Sequence, residues 1–238
     1  MLELAKREDA FDFLPASPYS AKIQSLFRTY GGGNSFARFW AQENTAAVSS
    51  VDGNITVECC ENADFDELRE FLAFIPKVSV TLNEKHCGKL GIEDYSSSYI
   101  VEFCSEAGDC GFSSQADYRD VYNLLKSKSF PLGSYESFLA DFVSRLNKNA
   151  ADLAVIYENG ALMSTASALF AGKDSVLLGA IATDSAAQGK GYASLLVKAL
   201  ASKYKNCGRR VFVFCREDSL KNFYEKCGFS VYGKWAQV

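Results

Sequence analysis

The stretch Gln188-Gly189-Lys190-Gly191-Tyr192-Ala193 decides the reading of this chain. An apolar run precedes it, Val176-Leu177-Leu178-Gly179-Ala180-Ile181-Ala182-Thr183, which reads as a strand. After it, Ala193, Leu196, Val197, Leu200, Ala201 and Tyr204 recur at spacings 0, 3, 4, 7, 8 and 11, the apolar face of one helix. The glycines therefore stand where a strand hands over to a helix. Glycine carries no Cβ, so a ligand can approach its backbone closely. The first N–H groups of a helix lack internal acceptors and sit at the positive end of its dipole. Such a turn suits a phosphate or pyrophosphate.

Two common phosphate fingerprints are absent, Gly-x-Gly-x-x-Gly and Gly-x-x-x-x-Gly-Lys-Ser/Thr. The spacing that fits is Gln/Arg-x-x-Gly-x-Gly/Ala, filled by Gln188, Gly191 and Ala193. It resembles the acetyl-CoA-binding signature of the GNAT superfamily of N-acetyltransferases. Downstream, Asn222-Phe223-Tyr224-Glu225-Lys226-Cys227-Gly228-Phe229 is similar to the closing segment of that superfamily.

The pattern between and around these motifs agrees. Tyr99 to Cys104 reads as a strand. Two helices follow, one on Tyr118, Val121, Tyr122 and Leu125, one on Tyr135, Phe138, Phe142 and Leu146 with Ser134 as N-cap. Asn159-Gly160 joins two strands as a hairpin, Leu153 to Tyr157 and Ala161 to Phe170. Val211 to Cys215 is a continuous apolar strand, and Gly228 ends the last helix. The resulting order is strand, helix, helix, three strands, helix, strand, helix, strand. The resemblance spans residues 96–238.

The resemblance implies roles for particular residues. Backbone groups of Ile181 and Thr183 would hydrogen-bond the pantetheine arm by strand addition, with Ala182 facing the core. The amides of Gln188, Gly189, Lys190, Gly191, Tyr192, Ala193 and Ser194 would hold the pyrophosphate. Tyr224 would protonate the departing CoA thiolate. A phenol has a reference pKa near 10, about one to two units above a thiol, so it can donate a proton to a thiolate at the site. A structural reading of Tyr224 stands beside this one, since it shares a helix face with Leu220, Phe223 and Cys227. The sequence also departs from the family: many members carry asparagine seven residues before this tyrosine, where Glu217 stands here.

A general base is not evident. Glu158, Asp184 and Glu217 lie at nearby strand or loop ends, and each is explained as readily by a solvated surface charge. Cys215 ends a strand beside the expected cleft. No histidine or basic cluster adjoins it, so it reads as a buried structural thiol.

Residues 1–95 show their own pattern. Ser17-Pro18 opens a helix on Tyr19, Ile23, Leu26, Phe27 and Tyr30, and Gly31-Gly32-Gly33 stops it. Strand-like runs follow at Ser35 to Ala41, Thr45 to Val51 and Asn54 to Cys60, with Asp52-Gly53 as a hairpin turn. Asp64 caps a helix with Glu67 in capping-box spacing; Pro76 ends it, and Val78 to Leu82 is another strand. Three strands, helix, strand repeats the middle of the C-terminal order, without its glycine signature. This half resembles a degenerate half-GNAT unit of the kind found in relatives of glycine N-acyltransferase. An unrelated α/β cap fits the same pattern. Gly91 to Ser98, with its serine run, is a candidate linker.

Composition sets the remaining bounds. The chain has 238 residues, 48% of them hydrophobic, and a net charge of −4, which disfavours a general nucleic-acid binder. Eight cysteines form no Cys-x-x-Cys pair and the sole histidine is His86, so no metal site is expected. No signal peptide and no membrane-length apolar run is seen, which points to the reducing cytoplasm.

The expected fold is therefore an α/β (α+β) one, a mixed central sheet with flanking helices of GNAT type. A smaller N-terminal α/β domain, residues 1–95, precedes the acetyltransferase domain, residues 96–238. The expected co-substrate is acetyl-CoA, with a small-molecule or peptide amine as acceptor and no metal, nucleic acid or membrane partner. Monomer and homodimer both remain open. Two rivals share the fold: a CoA-sensing or partner-binding module without catalysis, and an acyltransferase for longer chains.

Overall fold

The computed structural model describes residues 1–31, 33–108 and 111–238. Gly32 of the glycine triplet and Cys110 of the eight cysteines lie outside the described residues. In chain order the elements are β1 (Leu2–Leu4), α1 (Pro18–Tyr30), β2 (Ala37–Gln42), β3 (Ala46–Val51), β4 (Asn54–Cys59), α2 (Phe65–Phe74) and β5 (Ser79–Asn83). Then come β6 (Ser96–Phe103), α3 (Tyr118–Ser127), α4 (Tyr135–Asn147), β7 (Asp152–Glu158), β8 (Ala161–Ala171) and β9 (Ser175–Thr183). The chain closes with α5 (Tyr192–Asn206), β10 (Arg210–Phe214), α6 (Ser219–Lys226) and β11 (Phe229–Gln237).

Local chemistry accounts for the boundaries. The Ser17 side chain accepts from Ser20 N and Pro18 occupies the first turn of α1. Ser134 and Asp64 cap α4 and α2 in the same way. The reciprocal half of the expected capping box is not made, because Glu67 accepts from Gln42 Nε2 at 2.8 Å instead. Asp52-Gly53 and Asn159-Gly160 have positive φ at both residues, the twist that lets a two-residue hairpin match its strands.

The strands form an eleven-stranded sheet in the order β1-β2-β3-β4-β5-β11-β6-β10-β9-β8-β7. Each half uses one plan. β2, β3 and β4 run antiparallel, α2 crosses over, and β5 returns parallel to β4. β7, β8 and β9 do the same, with α5 crossing to β10 parallel to β9. The closing strands are exchanged. β6, which follows the first half, pairs with β10, while β11, which ends the second, pairs with β5. β6 and β11 pair with each other along their length, so hydrogen bonds run unbroken across the junction. The strand that opens the C-terminal order is thus interior, and β7 is the edge of the sheet.

Helix α1 fastens the halves from one face, packing over β3 and β4 as well as β8 and β9. Ser175 Oγ donates to Ser17 O at 2.7 Å, and Ser25 Oγ to Ala150 O at 2.8 Å. The approach is close: a Cβ on Gly172 would lie 2.8 Å from Ala21 Cα, which only glycine avoids.

Under the start of α1, Glu58 is 7% exposed and accepts from the Ser17 hydroxyl. Burial pushes its carboxyl up to about 7, against the opposing pull of the Ser17 hydrogen bond. A folded pKa above the unfolded value stabilises below about 4.5, and that stability is lost as pH rises through 7. Glu58→Gln removes the titration and keeps an acceptor for Ser17. The variant should match the parent near pH 4.5 and exceed it at pH 8 by up to about 3 kcal/mol, the free-energy equivalent of the shift. Denaturant midpoints at both pH values check this, and an equal difference at both would show that Glu58 does not hold the proton.

Candidate active site

Parallel pairing between β9 and β10 runs only from Ser175/Arg210 to Leu178/Val213. β10 ends at Phe214 while β9 continues to Thr183, so this edge of β9 beyond Leu178 has no strand beside it. A bulge marks the divergence. Ser167 faces Gly179 and Thr165 faces Ala182, so β9 carries one extra residue there. Ala180 at the bulge has φ 48°, a left-handed conformation that costs a non-glycine residue energy.

Past the bulge, Ser164 Oγ donates to Ala182 O at 3.1 Å, which turns that peptide group toward β8. Peptide groups alternate between the two edges of a strand, so those of Ile181 and Thr183 turn toward the open edge. Ala182 is buried beside Val121, Leu125 and Leu153.

The turn that follows is built on backbone geometry. Asp184 Oδ1 accepts from Ala186 N at 2.9 Å and sets the first bend. Gly189 and Gly191 have φ 81° and 83°, and a Cβ on either would meet nothing within 4 Å. Gly191 is the N-cap of α5 and offers no capping side chain. Among the described residues, the N–H groups of Gln188, Gly189, Gly191, Tyr192, Ala193 and Ser194 have no backbone acceptor. Lys190 N makes one long bond, 3.4 Å, to Ala187 O. An open space faced by unpaired amides at a helix start fits an anion, and the residues present fit a pyrophosphate.

Glu158, at the end of β7, holds this turn. It accepts from the Tyr192 hydroxyl, and Lys190 Nζ lies 3.3 Å away. These partners hold its carboxyl below the ordinary range, Tyr192 first. Asp184 is engaged in the bend and Glu217 accepts from Ser219 Oγ at 3.2 Å. None of these three carboxylates lines the cavity that opens where β9 and β10 diverge.

A cavity of about 530 Å³ opens at the divergence. Gly179, Ala180 and Ile181 form one wall, with Phe214, Leu220 and Tyr224 across from them in the fold. It continues beneath the sheet junction to Asn54, Ser79 and Thr81 of the N-terminal half. Tyr224 is 6% exposed and packs edge-on against Phe223 and Phe229, yet its side chain also lines the cavity. Its hydroxyl has no hydrogen-bond partner among the described residues. Burial, with the nearby Cys215 and Cys227 thiols, pushes the phenol well above its ordinary value and keeps it protonated. The core and cavity readings of Tyr224 therefore coincide in one side chain. Cys215 is wholly buried, with its thiol pushed up to about 11 by burial, so it is unsuited as a nucleophile.

Four charged cavity residues escaped the sequence reading: Lys22, Asp141, Arg145 and Arg216. A signal was available for the first three. Lys22 falls three residues after Tyr19 and four before Leu26, on the apolar face of α1. Asp141 and Arg145 each fall three after Phe138 and Phe142, on the apolar face of α4. Charges at core spacing are the residues to question. No group of side chains suited to a metal ion is found among the described residues, and no helix there is long and apolar enough to cross a membrane.

Residues 117–229 match the acetyltransferase (GNAT) family and form a GNAT acetyltransferase domain. No curated protein sequence matches significantly. The fold is similar to that of a GCN5-related N-acetyltransferase from Kribbella flavida, at 13% identity and TM-score 0.63, covering 92% of each chain. It is similar to a GNAT-family acetyltransferase from Colwellia psychrerythraea, at 9% identity and TM-score 0.60, covering 100% of this chain and 98% of that one. A tandem GNAT protein from the clavulanic acid biosynthesis pathway matches at 13% identity and TM-score 0.59, covering 100% and 97%. At such identities these likenesses speak to fold alone. They run over the whole chain, and the tandem arrangement accords with the repeated plan of the two halves. The family domain makes acyl transfer the class of chemistry. The kinship of the first half to glycine N-acyltransferase relatives is not found among these matches.

Proposed function

We propose that the protein transfers an acetyl group from acetyl-CoA to a primary amine by direct attack. The observation that carries this reading is the unpaired edge of β9 beyond Leu178, which joins the open amide cradle at Gly189 and Gly191 to the cavity holding Tyr224. The peptide groups of Ile181 and Thr183 suit the pantetheine arm as an added strand. The amides from Gln188 to Ser194 suit the pyrophosphate. Acetyl-CoA supplies an activated acyl carbon.

The amine nitrogen forms the new bond to that carbon as the C–S bond breaks. Tyr224 donates its proton to the leaving sulfur and is reprotonated from solvent. The proton lost by the amine leaves through water, since the candidate carboxylates lie outside the cavity. Positioning and the strand amides supply the rest of the acceleration.

Turnover with acetyl-CoA and a panel of primary amines tests the reading. Binding without turnover of any amine would favour the CoA-sensing module, and a faster rate with hexanoyl-CoA would favour a longer acyl chain.

The N-terminal half is expected to hold no CoA. After β4 the chain passes from Cys60 to Asp64 without a glycine turn, and Asp64 accepts from Glu67 N at 3.0 Å. With Asp66 and Glu67 in the first turn, the start of α2 presents carboxylates where a phosphate would have to sit. Calorimetry should give one acetyl-CoA per chain, and two would overturn this.

A further inference from the structure

Beyond the divergence of β9 and β10, the cavity carries an unbalanced charge. Its ionisable walls are three cations, Lys22, Arg145 and Arg216, and one carboxylate, Asp141, besides the phenol of Tyr224. Arg216 stands over the Phe130 ring at 5.2 Å. Lys22 from α1 and Arg145 from α4 flank a different ring, Phe170, with Nζ at 5.8 Å and Cζ at 4.8 Å from its centre. Asp141 answers Arg145 in a two-point pair, 2.9 Å from Nη2 and 3.0 Å from Nε, and also accepts from the Tyr30 hydroxyl. Nothing answers Lys22. Among the described residues its ammonium has neither an ion pair nor a hydrogen bond, although the residue is half-buried on the cavity wall.

An ammonium held away from bulk water without a counter-ion is unfavourable unless a ligand supplies one. We propose that Lys22, with Arg145 beside it, is a carboxylate-binding subsite, so that the acceptor is an amine which also bears a carboxylate. This rests on the acetyl-transfer reading above and names its substrate class. Burial, and secondly the charge of Arg145, lower the Lys22 amine to about 8, and an anion bound there would relieve both effects. One unanswered positive charge at this wall matches a single negative charge, and so a carboxylate in preference to a phosphate. Phe170 would pack beneath the carbon chain of the ligand. The N-terminal half thereby gains a role in recognition, because its first helix supplies the group that selects the acceptor.

The experiment has two readouts. In the first, Lys22 is labelled by reductive methylation in the CoA-bound protein, and its rate relative to that of the exposed Lys6 in the same sample, a ratio that cancels formaldehyde taken up by the added amines, is read by peptide mass spectrometry. Glycine, β-alanine and γ-aminobutyrate are compared with methylamine, ethylamine and propylamine. At least one aminocarboxylate should slow labelling of Lys22 severalfold while its matched alkylamine does not. No protection by any aminocarboxylate at millimolar concentration overturns the proposal. In the second, kcat/KM is measured for the same pairs. The best aminocarboxylate should exceed its alkylamine by about tenfold or more, the scale of one hydrogen-bonded charge pair. Lys22→Met should bring that ratio close to one, chiefly through KM, and Lys22→Arg should restore most of it. A ratio unchanged in Lys22→Met overturns the subsite. Equal loss toward both amine types in Lys22→Arg would mark Lys22 as a proton acceptor and overturn it too. Preference for 2-aminoethyl phosphate over every aminocarboxylate would overturn the choice of carboxylate. Protection of Lys22 without turnover of any amine leaves the subsite standing and removes the acetyl-transfer reading.

Discussion

Gly191→Val is expected to weaken acetyl-CoA binding by at least about a hundredfold. Each hydrogen bond to a charged group contributes about 1.5–3 kcal/mol, so displacing two amides from the pyrophosphate is enough. The valine side chain would enter the space that is open within 4 Å of a Cβ at Gly191, which the proposed function assigns to the phosphates. A second effect must be separated from this one. φ at Gly191 is 83°, and a β-branched residue there carries strain of about 1–3 kcal/mol. Gly208, just past the other end of α5, has φ 75° and is equally open. Gly208→Val therefore reproduces the strain without touching the turn. Both variants should melt lower by similar amounts, and only Gly191→Val should lose acetyl-CoA in calorimetry. If Gly191→Val binds as the parent does, the cradle lies elsewhere.

The sequence carried the local structure well because that structure is set by neighbours in the chain. Asn159-Gly160 turns a hairpin with no help from the rest of the fold. Ser17, Asp64 and Ser134 cap their helices with their own side chains. The cradle from Gln188 to Ser194 is likewise local, a turn and a helix start. What stayed hidden depends on pairing across long stretches of chain. No periodicity tells that β6 pairs with β10 and β11 rather than standing beside β7. Strand alternation specifies which face is apolar, not which neighbour supplies the hydrogen bonds. The divergence of β9 from β10 is silent for the same reason, although the bulge at Ala180 leaves Gly179 nearby as a faint trace. The cavity charges were concealed differently. Lys22, Asp141 and Arg145 sit on helix faces otherwise read as core, and only assembly of α1 and α4 over the sheet brings them to one wall.

Tyr224→Phe is expected to slow acetyl transfer while leaving acetyl-CoA affinity nearly unchanged. The ring is held edge-on by Phe223 at 5.1 Å and Phe229 at 5.7 Å, and phenylalanine preserves both contacts. The hydroxyl makes no hydrogen bond among the described residues, so removing it leaves no polar group unpaired. Stability should therefore change little. The chemistry should change more. A thiolate leaving without a nearby acid must be met by water, and a positioned proton donor is worth about a hundredfold to ten-thousandfold. Partial replacement by water in the cavity lowers the expected loss in kcat to at least about tenfold. The phenol is held protonated by burial, so this contribution should persist at alkaline pH where an ordinary tyrosine would begin to ionise. A purely structural tyrosine would behave differently: Tyr224→Phe would then keep the parent rate and the parent pH profile. The measurement is single-turnover acetylation of the best amine in the panel, from pH 7 to pH 10, with binding of acetyl-CoA measured in parallel. A parent-like rate across that range, with normal binding, would remove Tyr224 as the acid and leave the proton to water.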